Sequence, residues 1–373
     1  GGRRAEANRR AAADLPARDA GLTGALHLRP IHFVDTPVGL PDGSVARLAG
    51  GMLWFAAYEL REGADRRVVP VAEIAGCGDR ALLLHQRITA PRPPLTLGER
   101  VLRFDQPLVA GILNVTPDSF SDGGAHVEDL AGAAAAGVDM LAAGAALVDL
   151  GGESTRPGAP LIWEGDEAKR VAPVVERLVA AGALVSIDTR KALVMEAALA
   201  AGAQIVNDVS ALLWDERSPG VVARAGCPVI LMHSPDPKAG PHGGSGYADV
   251  VGEVFDWLEA RVDAVVAGGV DRARIIVDPG IGFGKSLADN LALINNLALF
   301  HGLGCPIMLG VSRKRMIGAL SNEAPVGERL GGSIALAMKG ADAGAQLLRV
   351  HDVAETVQAL RVWRGLRDRA LVG

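Results

Sequence analysis

Three kinds of residue are scarce in this 373-residue chain, and each scarcity removes a class of protein. There are only 3 cysteines, Cys77, Cys227 and Cys305, widely spaced and with no CxxC pair. That excludes a disulfide framework and gives no zinc-site spacing, so all three are expected reduced. Aromatic residues make up 4% of the chain while AVILMFWYC residues together reach 49%, so the core must be built from Ala, Val, Leu and Ile. Positive charge is not in excess, since the formal net charge is -5. A general nucleic-acid binder needs a basic surface, so any anion site here is expected to be local. No apolar run approaches the roughly 18 residues of a membrane span, and the opening residues lack the apolar core of a signal peptide. A soluble, cytoplasmic protein with no membrane partner is the expectation.

What is present falls into three stretches. Residues 1–20 are rich in Ala and Arg without an apolar face, which predicts disorder. Residues 21–106 carry short β-rich pieces such as ALHLRPIHF, MLWFAAYEL, RRVVPVAEI, ALLLHQRI and RVLRF, separated by Gly, Pro and Asp. They predict a small strand-rich module of unassigned role, with PRPPLTLG as its linker or last turn. From 107 to 373 eight short apolar runs alternate with helical stretches: LVAGILNV, LVDLGGES, LVSIDT, QIVNDVS, VILMHS, IIVDPG, IMLGVS and LLRVHD. Continuous apolar runs mark buried parallel strands. Eight strand-helix units predict an α/β fold, a (β/α)8 TIM barrel with an N-terminal strand-rich extension. A doubly wound open sheet is the alternative.

Polar residues stand at the carboxyl ends of these runs, where barrel enzymes build their sites. They are Asn114; Glu153, Ser154, Thr155 and Arg156; Asp188; Asn207 and Asp208; His233; Asp278; Ser312, Arg313 and Lys314; and Arg349 with His351. One such residue alone would serve as well to cap the following helix. Recurrence around the ring argues for a site. Arg156, Lys314, Arg349 and His351 are donors suited to a phosphate or pyrophosphate. Asp188, Asn207 and Asp278 suit a planar heterocycle, because a carboxylate takes two parallel N–H bonds from a ring N–H and its neighbouring amine. GIGFGKS at 280–286 imitates a phosphate-binding loop, but Pro279 stands where a glycine is required. No GxSxG is present. His27, His32, His85, His126, His242 and His301 form no close metal-ligand pair and read as surface residues.

The stretches VAGILNVTPDSFSDGG at 109–124 and VDLGGESTRPGA at 148–159 resemble the two signature loops of the dihydropteroate synthase family. The resemblance continues in order through SIDT at 186–189, IVND at 205–208, LMH at 231–233, DPGIGFGK at 278–285, SRK at 312–314 and RVHD at 349–352. It implies joining of p-aminobenzoate to a dihydropterin carried on pyrophosphate, with Mg2+ as cofactor, sulfonamides as competitors and a homodimeric state. It also implies residue roles. Asp188, Asn207, Asp278 and Lys314 would hold the pterin, with Met232 and Phe283 packed nearby. Asn114, Arg156, Arg349 and His351 would take the pyrophosphate, Asn114 through the metal. Thr155, Pro157, Phe283, Ser312, Asp118 and Phe120 would shape the p-aminobenzoate pocket. The catalytic set on this footing is Asp188, Lys314, Asn114 and Arg156. Two departures stand out: SPDPKAGPHGGSG follows LMH, and Ile281 replaces a frequent aromatic. Barrels that present a pterin to a corrinoid protein share the Asp and Asn set, and a non-catalytic pterin-binding paralogue would share more. Retention of SRK and RVHD favours the synthase.

Overall fold

The computed structural model describes residues 26–115, 127–154, 159–238, 242 and 246–372. The disorder expected of residues 1–20 therefore concerns residues outside those described, as do the roles expected of Asp118, Phe120, Thr155, Arg156 and Pro157.

The strand-rich module opens with β1 (Leu26–Val34), β2 (Ala46–Arg47), β3 (Trp54–Glu62) and β4 (Asp65–Pro70). β1 pairs antiparallel along one edge of β3, while β2 and β4 share the other edge. Leu28, Phe55, Tyr58 and Leu60 of this sheet are all at most 2% exposed. ALLLHQRI, read from the sequence as a β-rich piece, is instead the body of helix α1 (Asp79–Thr89), which buries Ala81, Leu84 and Ile88, the i, i+3, i+7 spacing of one apolar stripe on the sheet side and not the alternation of a strand. A hairpin follows, β5 (Leu95–Leu97) and β6 (Arg100–Leu102), whose register leaves the two-residue turn Gly98 and Glu99.

Eight parallel strands then alternate with helices. In order they are β7 (Leu108–Asn114), α2 (Val127–Ala142), β8 (Leu147–Gly151), α3 (Glu164–Ala180), β9 (Val185–Asp188), α4 (Ala192–Ala200), β10 (Ile205–Asp208) and α5 (Ser218–Ala225). They continue through β11 (Val229–Met232), α6 (Val250–Ala267), β12 (Ile275–Asp278), α7 (Leu287–Asn295), β13 (Met308–Gly310), α8 (Arg315–Leu320), α9 (Leu330–Asp342), β14 (Leu347–Val350) and α10 (Val353–Val372). β14 pairs with β7, and Val277 beside Ile307 bridges β12 to the start of β13, so the sheet closes. All eight apolar runs form the expected strands, and the fold is a TIM barrel with a strand-rich N-terminal region.

The hairpin belongs physically to the barrel. Leu95, Leu97, Leu102 and Phe104 form one apolar cluster with Leu147, Leu184, Ile205, Ile230, Ile276, Met308 and Leu347, residues at or beside the strand starts. The amino end is thereby plugged, and the carboxyl end is left for chemistry. The sheet and α1 pack elsewhere, against α6 and the 3-10 turn Leu297–Leu303. His27 meets Phe255 edge-on at 5.1 Å, and a Cβ on Gly302 would lie 3.1 Å from Leu84 and 3.2 Å from Phe255. Ion pairs fix the orientation: Arg80 and Arg87 both bind Glu259 (2.7 and 2.6 Å), and His27 Nε2 lies 2.7 Å from Asp256.

Several histidines read as surface residues are not. His27 is 7% and His301 0% exposed, and His85 Nδ1 sits 2.7 Å from the Tyr58 hydroxyl. No local period marks them, because His27 and His301 are buried by contact between the module and the barrel and His85 meets Tyr58 inside the module. Among the described residues no helix is long and apolar enough to cross a membrane.

Candidate functional site

The carboxyl mouth of the barrel gathers most of the polar residues expected there. Asp188 and Asp278 end β9 and β12, Asn207 lies in β10, and Met232 ends β11 at 3% exposure. Arg349 reaches inward from β14. Its Nε donates to Asp149 Oδ2 at 2.6 Å and its Nη2 to Asp188 Oδ2 at 2.7 Å. Asn207 Nδ2 donates to the same Asp149 oxygen at 3.1 Å.

Asp149 was not among the expected site residues. It stands in the middle of the strand LVDLG, 1% exposed, where an acidic side chain interrupts an otherwise apolar run. That interruption is the signal by which the sequence could have shown it. Asp149 Oδ1 and Asn207 Oδ1 are buried with no hydrogen-bond partner among the described residues. Acceptors left in this state are costly, so the mouth is matched to a ligand that brings N–H donors. Asp149 also turns the Asn207 amide so that its nitrogen faces inward and its oxygen remains for that ligand.

Electrostatics follow from burial. Desolvation pushes the Asp188 carboxyl up to about 7, against the opposing pull of Arg349. Burial likewise raises Asp278, which Lys314, the Gly280 N–H and Arg349 partly offset. Burial lowers the Arg349 guanidinium, yet Asp149, Asp188 and Asp278 together raise it above its ordinary value, so it stays charged. Lys314 is lowered to about 8 by burial, with Asp278 raising and Arg349 lowering it further.

The β12–α7 loop frames one side. Gly280 N–H donates to Asp278 Oδ1 at 2.7 Å, and Gly280 has φ +71, where a Cβ would lie 1.9 Å from the His233 carbonyl oxygen. Gly282, at φ +83, lies against the Lys314 stem. Only glycine fits the first position. Lys314 Nζ donates to the Ile281 carbonyl and lies 4.6 Å from the Phe283 ring centroid. Phe283 in turn stacks on His242 at 5.1 Å and 16°, so a further histidine read as a surface residue reaches the rim of the site. Lys285, missed in the sequence, donates to His233 Nδ1 (2.9 Å) and to the carbonyls of Gly280 (2.9 Å) and Phe283 (3.1 Å). His233 is pushed well below its ordinary pKa by burial and then by Lys285, so it accepts from the lysine as a neutral ring.

At the ends of the neighbouring strands β13 and β14, the Ser312 hydroxyl accepts the His351 N–H at 3.1 Å and lies 3.0 Å from its Nδ1. A Cβ on Gly151 would stand 3.3 Å from Asn114 Oδ1 and 3.7 Å from Asp188 Oδ2, so these oxygens flank one cleft. Among the described residues no group of three or more His, Cys, Asp or Glu side chains is placed to hold a metal ion. One neutral oxygen from Asn114 fits a Mg2+ that keeps water and phosphate oxygens as its remaining ligands.

Comparison with known proteins agrees with this geometry. A family model described as pterin binding enzyme matches residues 110–351. The dihydropteroate synthase of Neisseria meningitidis serogroup B is 43% identical over 274 residues, covering 72% of this chain and 96% of that protein. The Xanthomonas albilineans dihydropteroate synthase solved with 4-aminobenzoic acid is 47% identical with TM-score 0.69, covering 74% of this chain and 98% of that one. The same enzyme in complex with 7,8-dihydropteroate gives 45% identity and TM-score 0.66, with 74% and 99% covered. A Yersinia pestis dihydropteroate synthase in a sulfonamide drug complex gives 41% identity and TM-score 0.68, with 74% and 100% covered. With a family model spanning most of the barrel and relatives matched over nearly their whole length, the chain belongs to the pterin binding enzymes, in the dihydropteroate synthase family.

Proposed function

We propose that this chain condenses 6-hydroxymethyl-7,8-dihydropterin pyrophosphate with p-aminobenzoate, giving 7,8-dihydropteroate and pyrophosphate. The observation that carries the reading is the acceptor cluster of Asp149, Asp188 and Asn207 around Arg349, with two buried oxygens awaiting donors. A dihydropterin offers such donors along its amino-pyrimidine edge. Asp278 extends the set, and Met232 and Phe283 supply apolar contact to the ring.

The reaction is substitution at the pterin methylene carbon. The carbon–oxygen bond to pyrophosphate breaks, the aryl amine lone pair forms the new carbon–nitrogen bond, and the amine proton leaves to solvent. Positive charge on that carbon is spread into the electron-rich ring, and the Asp188 carboxylate supports it electrostatically, which favours a dissociative course. No strong base is required. Asn114, Arg156 and His351 are assigned to the pyrophosphate, and Arg349 joins that half of the site to the pterin half. Mg2+, held by Asn114 together with pyrophosphate and water oxygens, would neutralise charge on the leaving group. Thr155, Pro157, Asp118 and Phe120 are assigned with Phe283 and Ser312 to p-aminobenzoate, whose mimics, the sulfonamides, would compete there. We place the enzyme in the cytoplasm as a homodimer.

The test is turnover with both substrates, with and without Mg2+, monitoring dihydropteroate. Asp188→Ala and Asn207→Ala are expected to weaken binding of a phosphate-free pterin by ~1.5–3 kcal/mol, the loss of a hydrogen bond to a charged or buried group. Calorimetric affinities equal to wild type would remove both residues from the pterin site.

A further inference from the structure

The β13–α8 loop carries Ser312, Arg313 and Lys314 at the barrel's carboxyl mouth. Its turn is closed by the Lys314 N–H on the Val311 carbonyl at 3.4 Å, and Arg313, the third residue of that turn, has φ +57. A positive φ at this position is ordinarily left to glycine or asparagine, because a longer side chain crowds the backbone there. An arginine keeps it only where its surroundings hold it.

Three ties hold it here. The Arg313 N–H donates to Ser333 Oγ at 2.9 Å, and the Arg313 carbonyl accepts Arg329 Nη1 at 3.0 Å. Arg329 and Ser333 stand at the amino end of α9 and brace each other, since Ser333 Oγ donates to the Arg329 carbonyl at 2.7 Å. Arg329 Nε is engaged by the Ala324 carbonyl at 2.9 Å, which fixes the guanidinium. Ser333 is 4% exposed, where leaving the Arg313 N–H unpaired would be costly. The third tie is the Arg313 guanidinium, which grips Asp352, the residue after His351, with Nε 3.1 Å from Oδ2. A glycine at 313 would adopt this φ unaided but would lose the grip on Asp352. The chain has an arginine there and fastens its backbone from α9.

The consequence lies on either side of Arg313. Relaxation to negative φ would redirect the chain between Ser312 and Lys314, so the two could not both keep their partners. As built, Ser312 accepts the His351 N–H at 3.1 Å, while Lys314 crosses to the Ile281 carbonyl and the Phe283 ring. We infer that Ser333 and Arg329 are positioning residues for the pterin: by holding Arg313 left-handed they aim Lys314 at the pterin side of the mouth. This rests on the assignment of Lys314 to the pterin. Ser333 and Arg329 are assigned to no substrate, and each acts through the Arg313 backbone.

The experiment compares wild type with Ser333→Ala, Ser333→Thr and Arg329→Met, with Leu84→Ala as a destabilised control whose change lies in the N-terminal module. Melting and circular dichroism identify the folded variants, and Arg329→Met reaches the same turn from its carbonyl side. Hydrogen exchange of a peptide spanning 311–316 is expected to speed up in Ser333→Ala while barrel-strand peptides hold. Calorimetric affinity for a phosphate-free pterin should fall on the order of tenfold in Ser333→Ala and Arg329→Met, since small misplacement of a binding group costs up to about a hundredfold. Ser333→Thr should stay within about threefold of wild type, because a threonine hydroxyl in a helix makes the same bond to the carbonyl four residues back. Leu84→Ala should lose melting temperature and keep pterin affinity within about twofold, as independent distant sites do. Unchanged exchange across 311–316 in Ser333→Ala would overturn the clamp. Wild-type pterin affinity in the folded variants would overturn the positioning role, and an equal fall in Leu84→Ala would overturn it too by tying affinity to stability at large. No pterin binding by wild type would overturn the inference together with the assignment of Lys314, whereas pterin binding without formation of dihydropteroate would sink only the proposed reaction.

Discussion

Lys314 donates to the Ile281 carbonyl and stands over Phe283, and burial lowers its pKa to about 8. Below that pH it is an ammonium beside Asp278; above it, a neutral amine that no longer offers a charge-assisted donor to the pterin. The kcat/KM for the pterin substrate reports the free enzyme, so it should fall as pH rises through about 8. Stability moves the other way. The folded pKa lies below the ordinary 10.5, so between about 8 and 10.5 the unfolded chain binds more protons, and this group's contribution to stability rises with pH. Loss of activity above pH 8 without loss of melting temperature would therefore mark titration and not unfolding, and Lys314→Arg should move the falling limb upward. A profile flat well past this pKa would detach Lys314 from pterin binding. Lys314, Asp188, Asn207 and Asp278 were all legible in the sequence, because each is polar at the end of an apolar run. Asp149 was harder to see. It lies inside a run, and only Arg349 arriving from a strand 200 residues away explains an acidic residue there.

At the scale of one element, the β12–α7 loop shows how a misleading motif acquires a different meaning. GIGFGKS imitates a phosphate cradle in sequence, but its lysine points back into its own loop. Lys285 is lowered to about 7 by burial and holds the carbonyls of Gly280 and Phe283 and the ring of His233. Its task is to fix the loop that presents Phe283 and the Ile281 carbonyl. Lys285→Met should leave those acceptors unsatisfied and cost ~1–3 kcal/mol in denaturant unfolding. Pterin affinity should weaken together with stability. If stability falls and pterin affinity does not, the loop is held for the fold and not for the site. The glycines at 280 and 282 were visible as letters, but their purpose depends on positive φ and on the closeness of His233 and Lys314.

For the whole molecule, the N-terminal residues have two separate tasks. The hairpin 95–102 plugs the barrel's amino end, while the sheet and α1 cover α6 and the 297–303 turn. Leu84, 0% exposed at that contact, should cost ~2–5 kcal/mol when replaced by Ala, as a buried leucine does when it leaves a cavity. Deleting residues 1–90 while keeping the hairpin should lower both melting temperature and solubility, because it bares Phe255 and separates Glu259 from Arg80 and Arg87. An unchanged melting curve would show that the sheet is merely appended. The sequence by itself determined the eight strand-helix units, the end of the barrel that carries chemistry and most of its polar residues. Those follow from local period and from position along the chain, which hydrophobic patterning records directly. Tertiary structure alone decided that Arg349 sits between Asp149 and Asp188, that Arg313 meets Asp352 and that the module packs on α6. Each of these is a contact between residues far apart in the chain, made only when barrel closure brings separate strands and helices together, and no local pattern encodes such a meeting.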